Sequence, residues 1–290
     1  MKFTVLILLT LVQFGLLGQP SEWNQTTVKN NRVKEVLVYT KVPKTNPDYF
    51  KKPRGLMLIS ETRFDNFGRV TLHNCKGCYQ ITDTDSDCCT DVIQKFFYDK
   101  KKLARIEEMD FHKSTTIFSY DTVNRRRLVI GIDRNDKLSN VKLEYFDQKG
   151  REVSAIELDF GSTFTKGDTI FQVFITKLAS TYDRLAKTIE ESGGCFWKNM
   201  DRLKFKVFTS STDINEIENT FKSLDLSFIE PRGKWTISYD ENGNEIEIAD
   251  RNDEKFLTTY IRTKKGLITK EIIKKPAFTF EHVYHYKYWN

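Results

Sequence analysis

The stretch from Asn74 to Asp91, NCKGCYQITDTDSDCCTD, gathers residue types that could do chemistry. It holds Cys75, Cys78, Cys88 and Cys89, four of the chain's five cysteines, together with Asp83, Asp85, Asp87 and Asp91. Three chemistries and a structural role compete for it. The aspartates fall on the first, third, fifth and ninth positions of an EF-type calcium loop, and hard cations want such oxygen clusters. The sixth position is Cys88, where glycine makes the sharp turn, and the twelfth is Gln94, where a bidentate glutamate belongs. Four thiols could hold zinc, but the adjacent pair Cys88-Cys89 lacks the usual spacing. Cys75-Lys76-Gly77-Cys78 has the C-x-x-C redox form without a βαβ context around it. The adopted reading is two disulfides, with Cys75 and Cys78 each bonded to one of Cys88 and Cys89 and the connectivity open. Loops of this size contribute about 2–3 kcal/mol each in the chain-entropy model. No cofactor is expected, with calcium on the four aspartates as the alternative.

Other reactive groups give weaker patterns. His282 and His285 form H-x-x-H, but three residues apart on a strand means opposite faces. Asp110 and His112 share a strand parity and read as a cross-strand polar pair. Glu107-Glu108 and Glu190-Glu191 are contiguous and read as solvated. Cys195 follows Gly193-Gly194 and reads as a buried thiol, with no activating neighbour in sequence. The chain has no G-x-S-x-G, no H-E-x-x-H and no glycine-rich phosphate loop.

The compartment comes from the first residues. Lys2 precedes the apolar run FTVLILLTLVQFGLL, and Gly18 offers a cleavage point before Gln19. This reads as a signal peptide over 1–18. A lipoprotein would need a cysteine at position 19, so a secreted or periplasmic chain with no stable membrane span is expected. Basic and acidic residues number 46 and 40 and are interspersed, which speaks against nucleic acid as a partner. Aromatics make up 13% of the chain, with 22 Phe and 12 Tyr, a composition that favours strands.

The elements that must position these groups show an internal repeat. An apolar or aromatic residue plus Asp is followed by a turn and an alternating run, as in RFDNFGRVTL (63–72), SYDTVNRRRLVI (119–130), YFDQKGREVSAI (145–156) and SYDENGNEIEI (238–248). Asp65, Asp121, Asp147 and Asp240 can accept a hydrogen bond from backbone two residues on. Gly68, Gly150, Gly243 and Gly266 then allow positive φ, a role that falls to Asn124 in the second copy. These units resemble the YD (RHS-type) repeats of secreted bacterial proteins and, more loosely, MORN-like antitoxin repeats. The resemblance implies an extended or curved antiparallel sheet and an association with carbohydrate.

The middle of the chain has another texture. Leu178, Tyr182, Leu185, Ala186 and Ile189 fall at helical spacing, with Gly193-Gly194 as the stop. Asp213 is placed to cap a second helix carrying Ile214, Ile217 and Phe221 on one face. FQVFITKLASTYDRLAK followed by LKFKVF is similar to the C-terminal domain of TonB-type proteins.

The expected fold is mainly β: an up-and-down antiparallel meander with a small α+β insertion. Its expected parts are the signal peptide 1–18, a meander over 19–162 with the Cys-rich loop 74–91, the insertion at 163–232 and hairpins over 233–290. The expected function is a non-enzymatic binding module that presents aromatics on a sheet face to an envelope or extracellular carbohydrate or protein. The alternatives are a hydrolase with carboxylates assembled by the fold and a partner in a toxin–immunity or TonB-type envelope system.

Overall fold

The computed structural model describes residues 25–41, 56–76, 92–109, 113–165, 168–197, 207–208, 211–239, 245–249, 255–274 and 279–290. The signal segment, Cys78, Cys88, Cys89, Asp83, Asp85, Asp87, Asp91, Asp110, His112, Asp240 and Gly243 lie outside them. The protein is mainly β and antiparallel, with sixteen strands among the described residues. Their hydrogen-bonded order returns from β16 (Thr279–Tyr288) to β1 (Val33–Lys41), the strand order of a closed barrel. The chain divides into two compact units, one built mainly from residues 1–97 and 237–290, the other from 98–107 and 112–236.

The first unit starts with helix α1 (Gln25–Asn30) and β1. It continues through β2 (Leu56–Phe64), β3 (Val70–Cys75) and most of β4 (Val92–Asp99). It resumes with β13 (Glu245–Ala249), β14 (Lys255–Arg262), β15 (Ile268–Lys274) and β16. Strand β1 pairs with both β2 and β16, which joins the two sequence segments in one ladder. Val33, Val36, Val38, Phe64, Val70, Ile268 and Tyr284 are buried here.

The second unit contains β5 (Lys102–Glu108) up to Glu107, with Glu108 belonging to the first, and then β6 (Ser114–Asp121), β7 (Arg126–Ile132), β8 (Leu138–Phe146), β9 (Glu152–Thr165), β10 (Asp168–Tyr182) and β11 (Ala186–Trp197). Helix α2 (Ile214–Lys222) follows, before β12 (Glu230–Tyr239). Leu128, Leu143, Leu158 and Ile175 share one face of β7–β10 and pack with Phe208, Ile217 and Phe221. Asp213 caps α2 as its residue type suggests, accepting a hydrogen bond from the Asn215 amide at 2.8 Å. Arg126 anchors the polar edge of the helix, donating to Glu218 and, at 2.8 Å, to Asn215 Oδ1, while Tyr145 donates to Glu218 at 3.0 Å.

The helix expected over 178–189 is instead the β10–β11 hairpin, turning at Asp183–Leu185. The same residues also alternate, with Lys187, Ile189 and Glu191 buried on one face of β11. Long ladders to β9 and β11 supply backbone partners that a lone helix would have to find by itself, so tertiary pairing overrides the local 3.6-residue spacing. Gly193-Gly194 lie within β11 and stop nothing.

The repeated turn is the fold's local signature. At Asp65, Asp133 and Asp147 the carboxylate Oδ1 accepts from the amides two and four residues on, at 2.8–2.9 Å. Thr263 does the same with its hydroxyl at 3.2 Å. The fourth residue of each turn is left-handed: Gly68 (φ 77°), Asp136 (φ 56°), Gly150 (φ 76°) and Gly266 (φ 82°). Each turn adjoins a register shift, the type I turn plus bulge of three-residue hairpins. The turn at Asp121 is longer. There Asn124 donates twice to Asp121, and Arg125 (φ 52°), not Asn124, is left-handed.

Candidate functional site

Three groups of side chains could carry function, each within one unit. The first follows from alternation on β16, where Phe280, His282, Tyr284, Tyr286 and Tyr288 occupy every second position. The register places Tyr260 opposite Glu271, Glu271 opposite His282, and Phe280 opposite Ile273. Phe256 and Tyr260 therefore share a sheet face with the β16 aromatics. Glu271 organises this face: its Oε2 accepts from the Tyr284 hydroxyl at 2.8 Å and meets His282 Nδ1 at 2.9 Å. Exposure rises along the strand, from 5% at Tyr284 to 52% at Tyr288. Tyr286 and Tyr288 stack with ring centroids 6.4 Å apart.

Next to the end of β16 is the second group, a cavity of about 210 Å³ lined by Lys29, Arg32, Val33, Asp65, Asn66 and Trp289. Lys34 Nζ sits 5.1 Å from the Trp289 ring. Arg32 donates to the Asn290 carbonyl and holds a left-handed φ of 53°.

The third group is a charged face on the opposite side of the strands that carry the α2 core. Arg127 donates to Glu144, and Lys142 Nζ lies 2.9 Å from Glu144 Oε1 and 4.0 Å from Glu152 Oε2. Asn140 donates to Glu157 at 2.9 Å. The Arg127 guanidinium also covers the rings of Phe118 and Phe146 at 5.6 and 5.4 Å. Burial disfavours the Lys142 charge, but Glu144, Glu152 and Glu157 outweigh it and hold its pKa above the ordinary range. Burial pushes the other way on Asp159, and with Glu157 nearby raises its carboxyl to about 7. Burial likewise raises Glu152, although Lys142 opposes it.

The residues singled out from sequence separate by role. Asp65, Gly68, Asp121, Asp147 and Gly150 build turns. In each of those turns an arginine closes the loop on the aspartate: Arg69 and Arg151 each lie 2.7 Å from Oδ2, and Arg126 donates to Asp121 Oδ2. Cys75 ends β3, opposite Ser60 and Val92; its expected partners are outside the described residues. Among the described residues no group of three or more His, Cys, Asp or Glu could hold a metal ion. Gln94, the twelfth position of the calcium reading, sits in β4, and its amide nitrogen donates to Glu108 at 3.0 Å. His282 and His285 do face apart, His285 against the Tyr39 ring and His282 against Glu271. Glu190 is solvated and pairs with Lys234 at 3.3 Å, but Glu191 is buried, because consecutive strand residues point to opposite faces. Cys195 is half-buried and free, and burial raises its thiol pKa.

Sequence reading passed over Arg127, Lys142, Glu144, Glu157 and Asp159. The available signal was a charge at every second residue in V-K-L-E-Y and I-E-L-D-F, opposite an apolar set of the same period.

This geometry defines an antiparallel β protein with an aromatic sheet face and a charged one. No protein-family model matches the chain, and no curated protein matches it. Among solved structures it is similar to a porin-like protein from Bacteroides uniformis, at 10% identity and a TM-score of 0.30, over 88% of this chain and 98% of that one. A porin-like protein from Bacteroides vulgatus gives 8% identity and a TM-score of 0.27 over 89% and 98%. The TcdB2-TccC3-TEV structure gives 12% identity and a TM-score of 0.19 over 84% of this chain and 14% of that one. Likeness at these scores supports no statement about function.

Proposed function

We propose that the protein is an exported, non-enzymatic binding module whose ligand is an envelope or extracellular carbohydrate. The observation that carries this reading is the aromatic face of β14–β16, buried at Tyr284 and emerging at Tyr288, where a flat apolar ring edged with hydroxyls can stack. Kinship with YD-repeat proteins belongs to the same proposal.

A water-exposed chain fits better than a membrane-spanning one. Among the described residues no helix is long and apolar enough to cross a membrane, and that leaves strands to be considered. The other face of β14–β16 carries Lys255, Lys270, Lys274, Glu281 and Lys287. On a lipid-facing strand each Lys near the midplane would cost about 2–4 kcal/mol.

The test is a glycan array probed with the full chain, with Tyr288→Ala alongside. Binding to a defined set of glycans that weakens on Tyr288→Ala supports the reading. A chain that retains no glycan defeats it.

One observation favours the hydrolase alternative. Glu157 and Asp159 share the charged face, and a carboxyl with a pKa near 7 beside a second carboxyl is a general acid–base arrangement. Turnover of any glycoside that is lost in Asp159→Asn would establish that reading instead.

A further inference from the structure

We infer that the cavity beside Trp289 takes a pyranose that carries an anionic group, a carboxylate or a sulfate. This rests on the carbohydrate reading above, names the ligand's charge, and gives the ligand a second contact site next to the end of β16, where Tyr288 emerges. Pockets for drug-sized ligands begin at about 300 Å³, so a cavity of about 210 Å³ suits one sugar ring. Trp289 is 38% exposed and supplies an indole, the largest aromatic platform available to a ring. Asn66 adds an amide that can both donate and accept.

Cationic side chains gather at the cavity. Lys29 and Arg32 line it, and Lys34 stands over the indole. Asp65, the single lining acid among the described residues, has its carboxylate occupied by the Phe67 and Arg69 amides and by the Arg69 guanidinium. It therefore leaves little acceptor capacity to repel or capture a ligand.

Arg32 adds a second argument. It follows α1 in the left-handed conformation, where glycine would be the cheaper residue. Asp136 and Arg125 adopt the same conformation in ordinary turns, so it marks the chain reversal after α1, and what Arg32 brings to the cavity is its guanidinium. Among the described residues one guanidinium nitrogen, Nη2, is engaged, by the Asn290 carbonyl. The guanidinium has further N–H donors, and the fork of an arginine matches a carboxylate or sulfate.

The test uses the full chain and three disaccharide probes of one shape: cellobiose, cellobiuronic acid and a 6-sulfated cellobiose, titrated by calorimetry at low and at physiological salt. The two anionic probes should bind at least about tenfold more tightly than cellobiose at low salt, and salt should shrink the difference. Trp289→Ala should abolish binding of all three. Lys29→Gln, at an exposed position of the cavity wall, should weaken the anionic probes by a larger factor than cellobiose and so shrink the gap between them. A preference for one anion over the other identifies the group. Equal or tighter binding of cellobiose overturns the inference, and so does binding that survives Trp289→Ala. If none of the three binds, the glycan array separates the cases. Retained neutral glycans there defeat this inference alone, whereas an empty array defeats the carbohydrate reading with it.

Discussion

Two regions, one in each unit, bury polar groups in different ways. In the first, Glu271 is met by a phenol and an imidazole, His73 by the Thr62 hydroxyl at 2.9 Å, and Gln94 by Glu108. These are mostly pairs joining one charged or titratable group to a neutral one. In the second, Arg127, Lys142 and Glu144 form a lattice of full charges under the sheet, with Glu152 at its edge. The contrast teaches where each unit is vulnerable. A lattice of charges is costly to break anywhere, because every member compensates another. A pair is cheaper to break, but it responds to protonation.

Breaking one acid in each unit should separate them most. Glu144→Ala leaves Arg127 and Lys142 buried without their shared counter-charge, and removal of one partner from a buried ion pair costs about 3–5 kcal/mol. Glu271→Ala strands a phenol and an imidazole, for which about 1–3 kcal/mol is expected. Urea unfolding of both variants checks the ranking. Equal losses would mean that the lattice is no more cooperative than a hydrogen-bonded pair.

Acidification should act on the units in opposite directions. Burial lowers His73 from 6.5 to about 4, so the folded state refuses a proton that the unfolded state accepts. Its contribution is complete above about pH 6.5 and is lost as pH falls toward 4, by about 3 kcal/mol at most. Asp159 is raised from 3.8 to about 7, so the folded state holds a proton that the unfolded state has released. Its contribution is present below about pH 4 and is lost as pH rises toward 7. Amide exchange followed from pH 4 to 7 can read strands of the two units separately. Protection in β2–β3 should rise with pH, that in β8–β9 should fall, and His73→Gln and Asp159→Asn should each flatten their own trend.

These networks show what the sequence could and could not carry. Turn chemistry is local: Asp65 and Asp147 reach backbone within four residues, so the residue types were enough to read it. The α2 cap was legible for the same reason. The β10–β11 hairpin was not, because its apolar spacing fits two periods and the partners that choose between them lie on β9. The charged lattice was hidden for a related reason. Lys142, Glu144 and Glu157 look like surface residues until the register puts them across from one another, with Arg127 joining from β7. The aromatic face of β16 was visible as alternation, but its anchor Glu271 comes from the neighbouring strand.

The smallest contrast is the most local, and it tests whether the shared turn is equivalent in the two units. Gly68 and Gly150 have nearly the same φ, 77° and 76°, in turns with the same hydrogen bonds. Their surroundings differ. A Cβ on Gly68 would lie 2.6 Å from the Gln25 carbonyl oxygen and 2.9 Å from the Lys29 amide nitrogen, whereas one on Gly150 would meet nothing within 4 Å. Gly150→Ala therefore isolates the left-handed conformation itself, expected at about 1–2 kcal/mol. Gly68→Ala adds a collision with backbone of α1, and backbone cannot swing aside as a side chain can. It should cost clearly more and loosen α1 from the turn, visible as faster amide exchange at Asn31 and Arg32, whose amides close the end of that helix. Equal losses from the two alanines would show that α1 yields, and that its seat on the Asp65 turn contributes little to holding Arg32 beside the Trp289 cavity.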